Sequence, residues 1–388
     1  MLPESKESHG FNRGSMSTQR GVYMMRKVRE KIMSALVVLC MILACTNSIV
    51  AKEVTISGFV EQLDIADETT LSNYFQNRAE NFYGNTVESG WIKEEQQQRI
   101  LALEQWKKDC EFCIENVNIE FVVSEVIKNA NETIITGSEW NQIDYRFNYE
   151  NSSRSMLFET VHVIHVSEES HAIMSDCYSE YTGYTHGSEN EIARVQIGEE
   201  PKTSINVDEL IAQSQKMEIA AVQYSYTPSA AINYSESWWN GFNPRFYNYG
   251  TSDCCNFISQ CLLSGGMSMT STWQTQYNST SSSQFDGSYS KSTLAWMCTS
   301  DFMNYWVSQG RHLTRITSLE QAGSGNPIFW IAGTYTTSSG ATKSYSTNHN
   351  MLIVGAQNNT CVLVNAHSNA AYHMPISLTT EYLYTLWF

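Results

Sequence analysis

The spacing of apolar and polar positions divides the chain into four stretches of different character. A basic run, Met24-Met25-Arg26-Lys27-Val28-Arg29-Glu30-Lys31, leads into an apolar run from Ile32 to Ala44 broken only by Ser34. That run is shorter than the ~20 residues needed to span a bilayer, so it predicts a signal peptide at 24–51 within a leader of residues 1–51. Leu71 to Lys108 is rich in Gln, Glu, Leu and Ala and lacks Pro, which predicts helices interrupted near Gly84 and Gly90. From Ile119 the pattern turns to β-branched runs, 119–123 and 133–136, separated by the turn Asn129-Ala130-Asn131. Residues 144–149, 156–166 and 172–177 then alternate as further strands. Helices followed by such a meander predict an α+β roll over residues 52–181, with an antiparallel sheet wrapped on one or two helices.

Residues 182–223 are polar, carry Gly183, Gly187 and Gly198, and include Glu189, Glu191, Glu199 and Glu200. They read as a linker with one short helix near Val207 to Val222, holding a second domain, 224–388, at some distance from the first. In that domain Ser229 to Trp239 has helical spacing and stops at Gly241. A polar loop from Asn243 to Ser252 leads to a second helical run from Cys254, with apolar positions at 254 or 255, 258, 261 and 262, ending at Gly265-Gly266. His349 opens a strand to Gly355, the polar run 357–360 turns, and Cys361 to His367 returns as the partner strand.

A formal net charge of −16 excludes a nucleic-acid partner, since neutralising phosphates takes clustered Lys and Arg. Eight cysteines follow residue 51, an even count that permits disulfides in an exported chain without demanding them. Cys110-Glu111-Phe112-Cys113 has redox or half-zinc spacing, but no second such pair follows, and no metal or cofactor is expected. His162 and His165 lie three apart on a strand and so face opposite sides of the sheet, which rules out joint chelation. The chemistry instead points to Cys254. A cysteine at a helix N-terminus gains thiolate character from the helix dipole, and the N–H groups there can bind a developing oxyanion. A thiolate nucleophile needs a base, for which His349 is the candidate, and a third group to orient it, Asn365 or His367. Which one depends on hairpin register: an odd loop puts both on the face of His349, an even one puts Ala366 and Ser368 there.

Asn233-Tyr234, Trp238-Trp239-Asn240, Asn243-Pro244, Asp253-Cys254, Asn256-Phe257-Ile258-Ser259-Gln260 and Gly265-Gly266 resemble the "Putative amidase domain" family of exported proteins from Gram-positive bacteria. The resemblance covers residues 224–388. It implies a papain-like fold, related to NlpC-type cell-wall peptidases and amidases, with Cys254 as nucleophile and His367 at the family's histidine on the return strand. Cys255 replaces a family threonine, and Asn348 stands where the family often has Asp before its first histidine. The roll at 52–181 is similar in architecture to nuclear-transport-factor-like or cystatin-like domains and carries no motif. Ile42-Leu43-Ala44-Cys45 resembles a bacterial lipoprotein box, giving anchoring at Cys45 as an alternative to cleavage near Ala51.

The expectation is therefore an α+β protein, secreted or held at the cell envelope, whose second domain is a cysteine hydrolase of amide bonds. Its substrate would be a peptidoglycan stem peptide or another amide. A catalytically inactive cell-wall or peptide-binding module and a thiol transpeptidase are the alternatives.

Overall fold

The computed structural model describes residues 53–83, 92–179, 185–186, 207–216, 225–275, 292–330, 334–336, 342–344, 349–357, 360–378 and 383–388. The leader, Cys45, Asn348 and most of the 182–223 stretch lie outside them. Six helices of ten residues or more are described: α1 (Ile65–Tyr83), α2 (Ile92–Asp109), α3 (Val207–Lys216), α4 (Pro228–Trp238), α5 (Cys254–Ser264) and α6 (Thr299–Ser308). Among these residues no helix is long and apolar enough to cross a membrane. The first half holds β1 (Glu53–Gly58), β2 (Phe112–Lys128), β3 (Glu132–Phe147), β4 (Arg154–Ser167), β5 (Ile173–Ser179) and β6 (Thr185–His186). The second holds β7 (Leu313–Arg315), β8 (Pro327–Trp330), β9 (Thr334–Thr336), β10 (Thr342–Ser344), β11 (His349–Gln357), β12 (Cys361–Ala366), β13 (Ala371–Ser377) and β14 (Leu383–Leu386).

The architecture is mixed α/β, with several helices on one large sheet. The helix α1 buries Leu71 and Phe75 against Phe121, Val123, Ile135 and Ile164, and the Phe75 and Phe121 rings stack at 4.2 Å. Strands β2 and β3 run far beyond the short apolar runs that mark them in the sequence. The side chains of β3 alternate between buried and more exposed over its full length, and those of β2 do so from Asn116 to Val123, as in a half-covered antiparallel pair.

The two halves do not stand apart, as the linker had suggested. Ten strands follow one path, β1-β2-β3-β4-β13-β12-β11-β8-β14-β7, joined where β4 pairs with β13 through Phe158 with Ala371 and Leu157 with Tyr372. Glu159 reinforces the seam: its N–H donates to the Ala370 carbonyl at 2.9 Å and its carboxylate accepts the Ala370 N–H at 3.1 Å. Trp106 donates to the Pro375 carbonyl at 2.8 Å, and one hydrophobic core runs from Leu103 and Phe147 to Met351, Val364 and Met374. The physical reason is that β13 and β4 would otherwise present open edges, and pairing satisfies both. Of the linker, α3 is described, and it too is docked, with Leu210 in the second core and Ser214 Oγ donating to the Leu313 carbonyl.

Beneath α1 lies a buried ionic network. Arg78 Nη2 meets Glu139 Oε2 at 2.9 Å, His162 Nε2 meets the same oxygen at 3.0 Å, and His162 Nδ1 lies 2.9 Å from Asp176 Oδ2. Tyr74 donates to Asp176 at 2.6 Å, and the Arg78 guanidinium lies 4.2 Å over the Tyr178 ring. Burial works against charge on His162, but Asp176 and Glu139 outweigh it and raise its pKa. Burial likewise opposes ionised Glu139, and Arg78 and His162 outweigh it, holding its carboxyl well below the usual range. His165 faces away from this network and pairs with Glu132 at 2.9 Å.

Candidate active site

Every residue of α5 from Cys254 to Leu262 is buried, including a polar stripe of Asn256, Ser259 and Gln260 whose side chains are all hydrogen-bonded. The helix stops at Gly265 and Gly266. The latter has φ of +99°, and a Cβ there would stand 2.9 Å from the Ser225 carbonyl oxygen. Cys254 is the first residue of α5 and is fully buried. Asp253 precedes it at the N-cap, yet its carboxylate makes no capping bond. It is turned to other partners: Oδ1 accepts from Asn256 Nδ2 at 2.8 Å and from the Tyr249 N–H at 3.1 Å, and Oδ2 lies 2.7 Å from His367 Nδ1. Asn256 is itself held by the Trp296 indole, which donates to its Oδ1 at 2.7 Å.

His367 lies just past β12, with its Nε2 2.6 Å from the Trp238 carbonyl and its ring stacked on Phe257 at 4.2 Å. Cys254 and Phe257 are three apart on one helix and share a face, so the imidazole sits over the face that carries the thiol. Both of its partners, a carboxylate and a carbonyl, only accept hydrogen bonds. The adjoining Ser368, in the left-handed region at φ 58°, accepts the Asp253 N–H at 2.6 Å. The Glu159 clamp on Ala370 holds the turn that carries both residues.

The hairpin register is resolved, and its parity is not the one that the loop alone would set. The loop of residues 358–360 is odd, and beyond it Gln357 pairs with Cys361 and Gly355 with Leu363. A β-bulge between Ile353 and Gly355 then adds a residue to β11, so Met351 pairs with Ala366 and Leu352 with Asn365. The parity is reversed: Ala366 shares the face of His349, whereas Asn365 and His367 share the face of Asn350. Pairing with β8 agrees. Asn350 lies opposite Phe329, in the core with Cys254, and His349 lies opposite Trp330, which packs on the other core. The structure pairs His367 with Asp253, the residue before Cys254, and strand alternation gives His349 the face opposite to that of Asn350. Asn365 donates to Ser235 Oγ and to Glu236 on α4, at 3.1 Å each, and does not orient His349.

Burial, with a smaller contribution from His367, pulls the His349 pKa down to about 3. A histidine with a depressed folded pKa stays neutral in the native state while its unfolded counterpart, near 6.5, takes a proton. Between about pH 6.5 and pH 3 the unfolded chain therefore binds more protons, and His349 makes stability fall with pH by up to about 1.4 kcal/mol per unit. His349→Gln is expected to flatten the acid limb of a urea-denaturation series by that slope. An unchanged limb would show that His349 is solvated.

All eight cysteines after residue 51 are buried as thiols among the described residues. Burial pushes Cys261, two turns along α5, well up, and does the same to Cys110. Cys110 and Cys113 straddle the junction of α2 with β2 and face no second pair. One group with metal-ligand geometry is found among the described residues, Asp64, Asp67 and His171. There Asp64 caps the start of α1 by accepting the Asp67 N–H, and His171 braces Asp67 at 2.9 Å, so the cluster has a structural use. Trp273 lies in the core, 4.8 Å from Trp296 and 4.9 Å from Trp306, and Gln260 accepts from Tyr234 to tie α5 to α4.

Sequence reasoning gave no role to Asp253, Asn256, Asn350 or Ser368. The signal for the first two was present in Asp253-Cys254-Cys255-Asn256, in which a carboxylate and an amide bracket the thiol; nothing local marks the others.

Residues 225–388 match the family model described as "Putative amidase domain", which points at a general level to amide hydrolysis by a hydrolase. The uncharacterized protein YhbB of Bacillus subtilis (strain 168) is 38% identical over 82 residues, 21% of this chain. The match spans 25% of the length of that relative. No solved structure matches the chain.

Proposed function

We propose that residues 224–388 form an exported, papain-like cysteine amidase in which Cys254 is the nucleophile and His367, oriented by Asp253, is the proton carrier. The observation that carries this reading is the 2.7 Å Asp253–His367 pair set beside a cysteine at a helix N-terminus. A thiolate at the start of α5 is stabilised by the helix dipole and by the neighbouring imidazolium. Its sulfur attacks the amide carbon, a C–S bond forms, and the carbonyl pair moves to oxygen. Collapse expels the amine, which takes the Nε2 proton of His367 and leaves a thioester. Water then gives a proton back to His367, attacks the thioester and releases the acid and the thiolate. Peptide stems of peptidoglycan are the substrate class we assign. The leader's basic and apolar runs argue for export to the compartment that holds them, and the acidic chain argues against a polyanion.

Complete burial of Cys254 favours a second reading, a wall-binding module without turnover. Catalysis requires the cover to move. Phe242, half-exposed on the loop between α4 and α5 and 5.2 Å from the His367 ring, stands where solvent meets the site. Incubation with purified muropeptides separates the readings. Amino groups that appear with time, and not with Cys254→Ser, support hydrolysis. Stoichiometric binding without new amines replaces it with the binding module, and incorporation of added glycine methyl ester into the product identifies a transpeptidase.

A further inference from the structure

The core beside the site holds a buried polar side chain, Asn350, that the proposed mechanism does not use. Asn350 is fully buried, and neither its Nδ2 nor its Oδ1 has a hydrogen-bond partner. A buried amide left unpaired on both atoms costs free energy that an apolar residue would avoid, so its presence asks for a use. Its position supplies one. Asn350 lies opposite Phe329 on the face of the sheet covered by α5, and the β11–β12 register, continued one residue from Met351 and Ala366, sets it beside His367. His367 contacts Asp253 and Phe257 at the start of α5, and Phe329, opposite Asn350, shares a core with Cys254, which puts the Asn350 amide in the layer between the sheet and that helix.

We infer that Asn350 is a further catalytic residue whose Nδ2 donates to the oxyanion formed when Cys254 attacks an acyl carbon, completing a hole begun by the first N–H groups of α5. Asp253 bears on the same point, because its carboxylate turns away from capping that helix. A donor held without a ground-state partner needs no rearrangement when charge develops on the substrate oxygen, which is how such groups act in the transition state. The inference rests on the cysteine-amidase reading.

Two reagents at Cys254 test it. Acylation by p-nitrophenyl acetate passes through a tetrahedral oxyanion as the thiolate displaces p-nitrophenolate, whereas alkylation by iodoacetamide displaces iodide and forms none. Asn350→Ala is expected to slow acylation by about 10²-fold or more, the scale of a lost oxyanion donor, and to leave alkylation unchanged. Asn350→Leu, which keeps about the volume and removes the donor without adding charge, is expected to do the same. Asn350→Ala should melt no lower than about the wild-type temperature, since no hydrogen bond is lost. Acylation that is unchanged, or that falls in step with alkylation, overturns the role. Wild-type Cys254 that reacts with neither reagent overturns the amidase reading itself, and the role with it.

Discussion

Arg78→Met is expected to cost about 3–5 kcal/mol of folding stability, the scale for removing one partner from a buried ion pair. The wild-type network is balanced, with Arg78 and His162 against Glu139 and Asp176, all essentially without solvent exposure. Removing the guanidinium leaves two carboxylates sharing one imidazolium in a medium that cannot solvate the excess. It also removes the cation packed over Tyr178. A domain has about 5–15 kcal/mol in total, so the loss should be plain in urea denaturation. Glu139→Gln in the Arg78→Met background should restore part of it, because the excess charge goes with it. A loss below about 1 kcal/mol would mean that the network behaves as a surface pair. The network lies under α1, on the sheet that continues through β4 into β13, so its loss is also expected to loosen the seam that braces the His367 turn.

His367→Ala is expected to lower turnover by about 10²- to 10⁴-fold, the range for a lost general acid–base group. In the account given above the imidazolium both stabilises the thiolate and protonates the leaving amine, so the loss should fall on kcat more than on KM. Asp253→Asn should cost less, since the amide oxygen can still accept from Nδ1 while its charge is gone. His349→Ala should leave the chemistry largely in place, because strand alternation turns that side chain to the opposite face from α5. If His349→Ala were as damaging as His367→Ala while the protein stayed folded, the assignment of the proton carrier would have to be reversed.

Much of the second half was legible in the sequence. The helix from Cys254 to the glycine pair, the strand from His349 and its return to His367 all lie where apolar spacing and turn residues place them. The sharing of faces was not legible, because a single bulge near Val354 reverses the parity that the three-residue loop would set, and Gly355, the residue that marks it, reads equally well as the end of the strand. In the first half, the sequence breaks β3 into two strands, 133–136 and 144–149, because Glu139 and Asn141 occupy inward positions that a hydrophobic alternation would fill with aliphatic side chains. The burial of Glu139 is compensated by Arg78 and His162, which come from other elements of the fold. The β4–β13 seam was invisible for a related reason: pairing between edge strands is carried by backbone groups that every residue has.

The central claim is that Cys254 is a thiolate made reactive by its helix and by His367, and iodoacetamide labelling tests it most directly. Labelling would run from about pH 4 to about pH 9, with each cysteine resolved by mass spectrometry. The account predicts that Cys254 labels well below the ~8.5 of an ordinary thiol, and that His367→Ala moves its profile up toward that value. Labelling of Cys254 no faster than that of Cys261 across the whole range would contradict it.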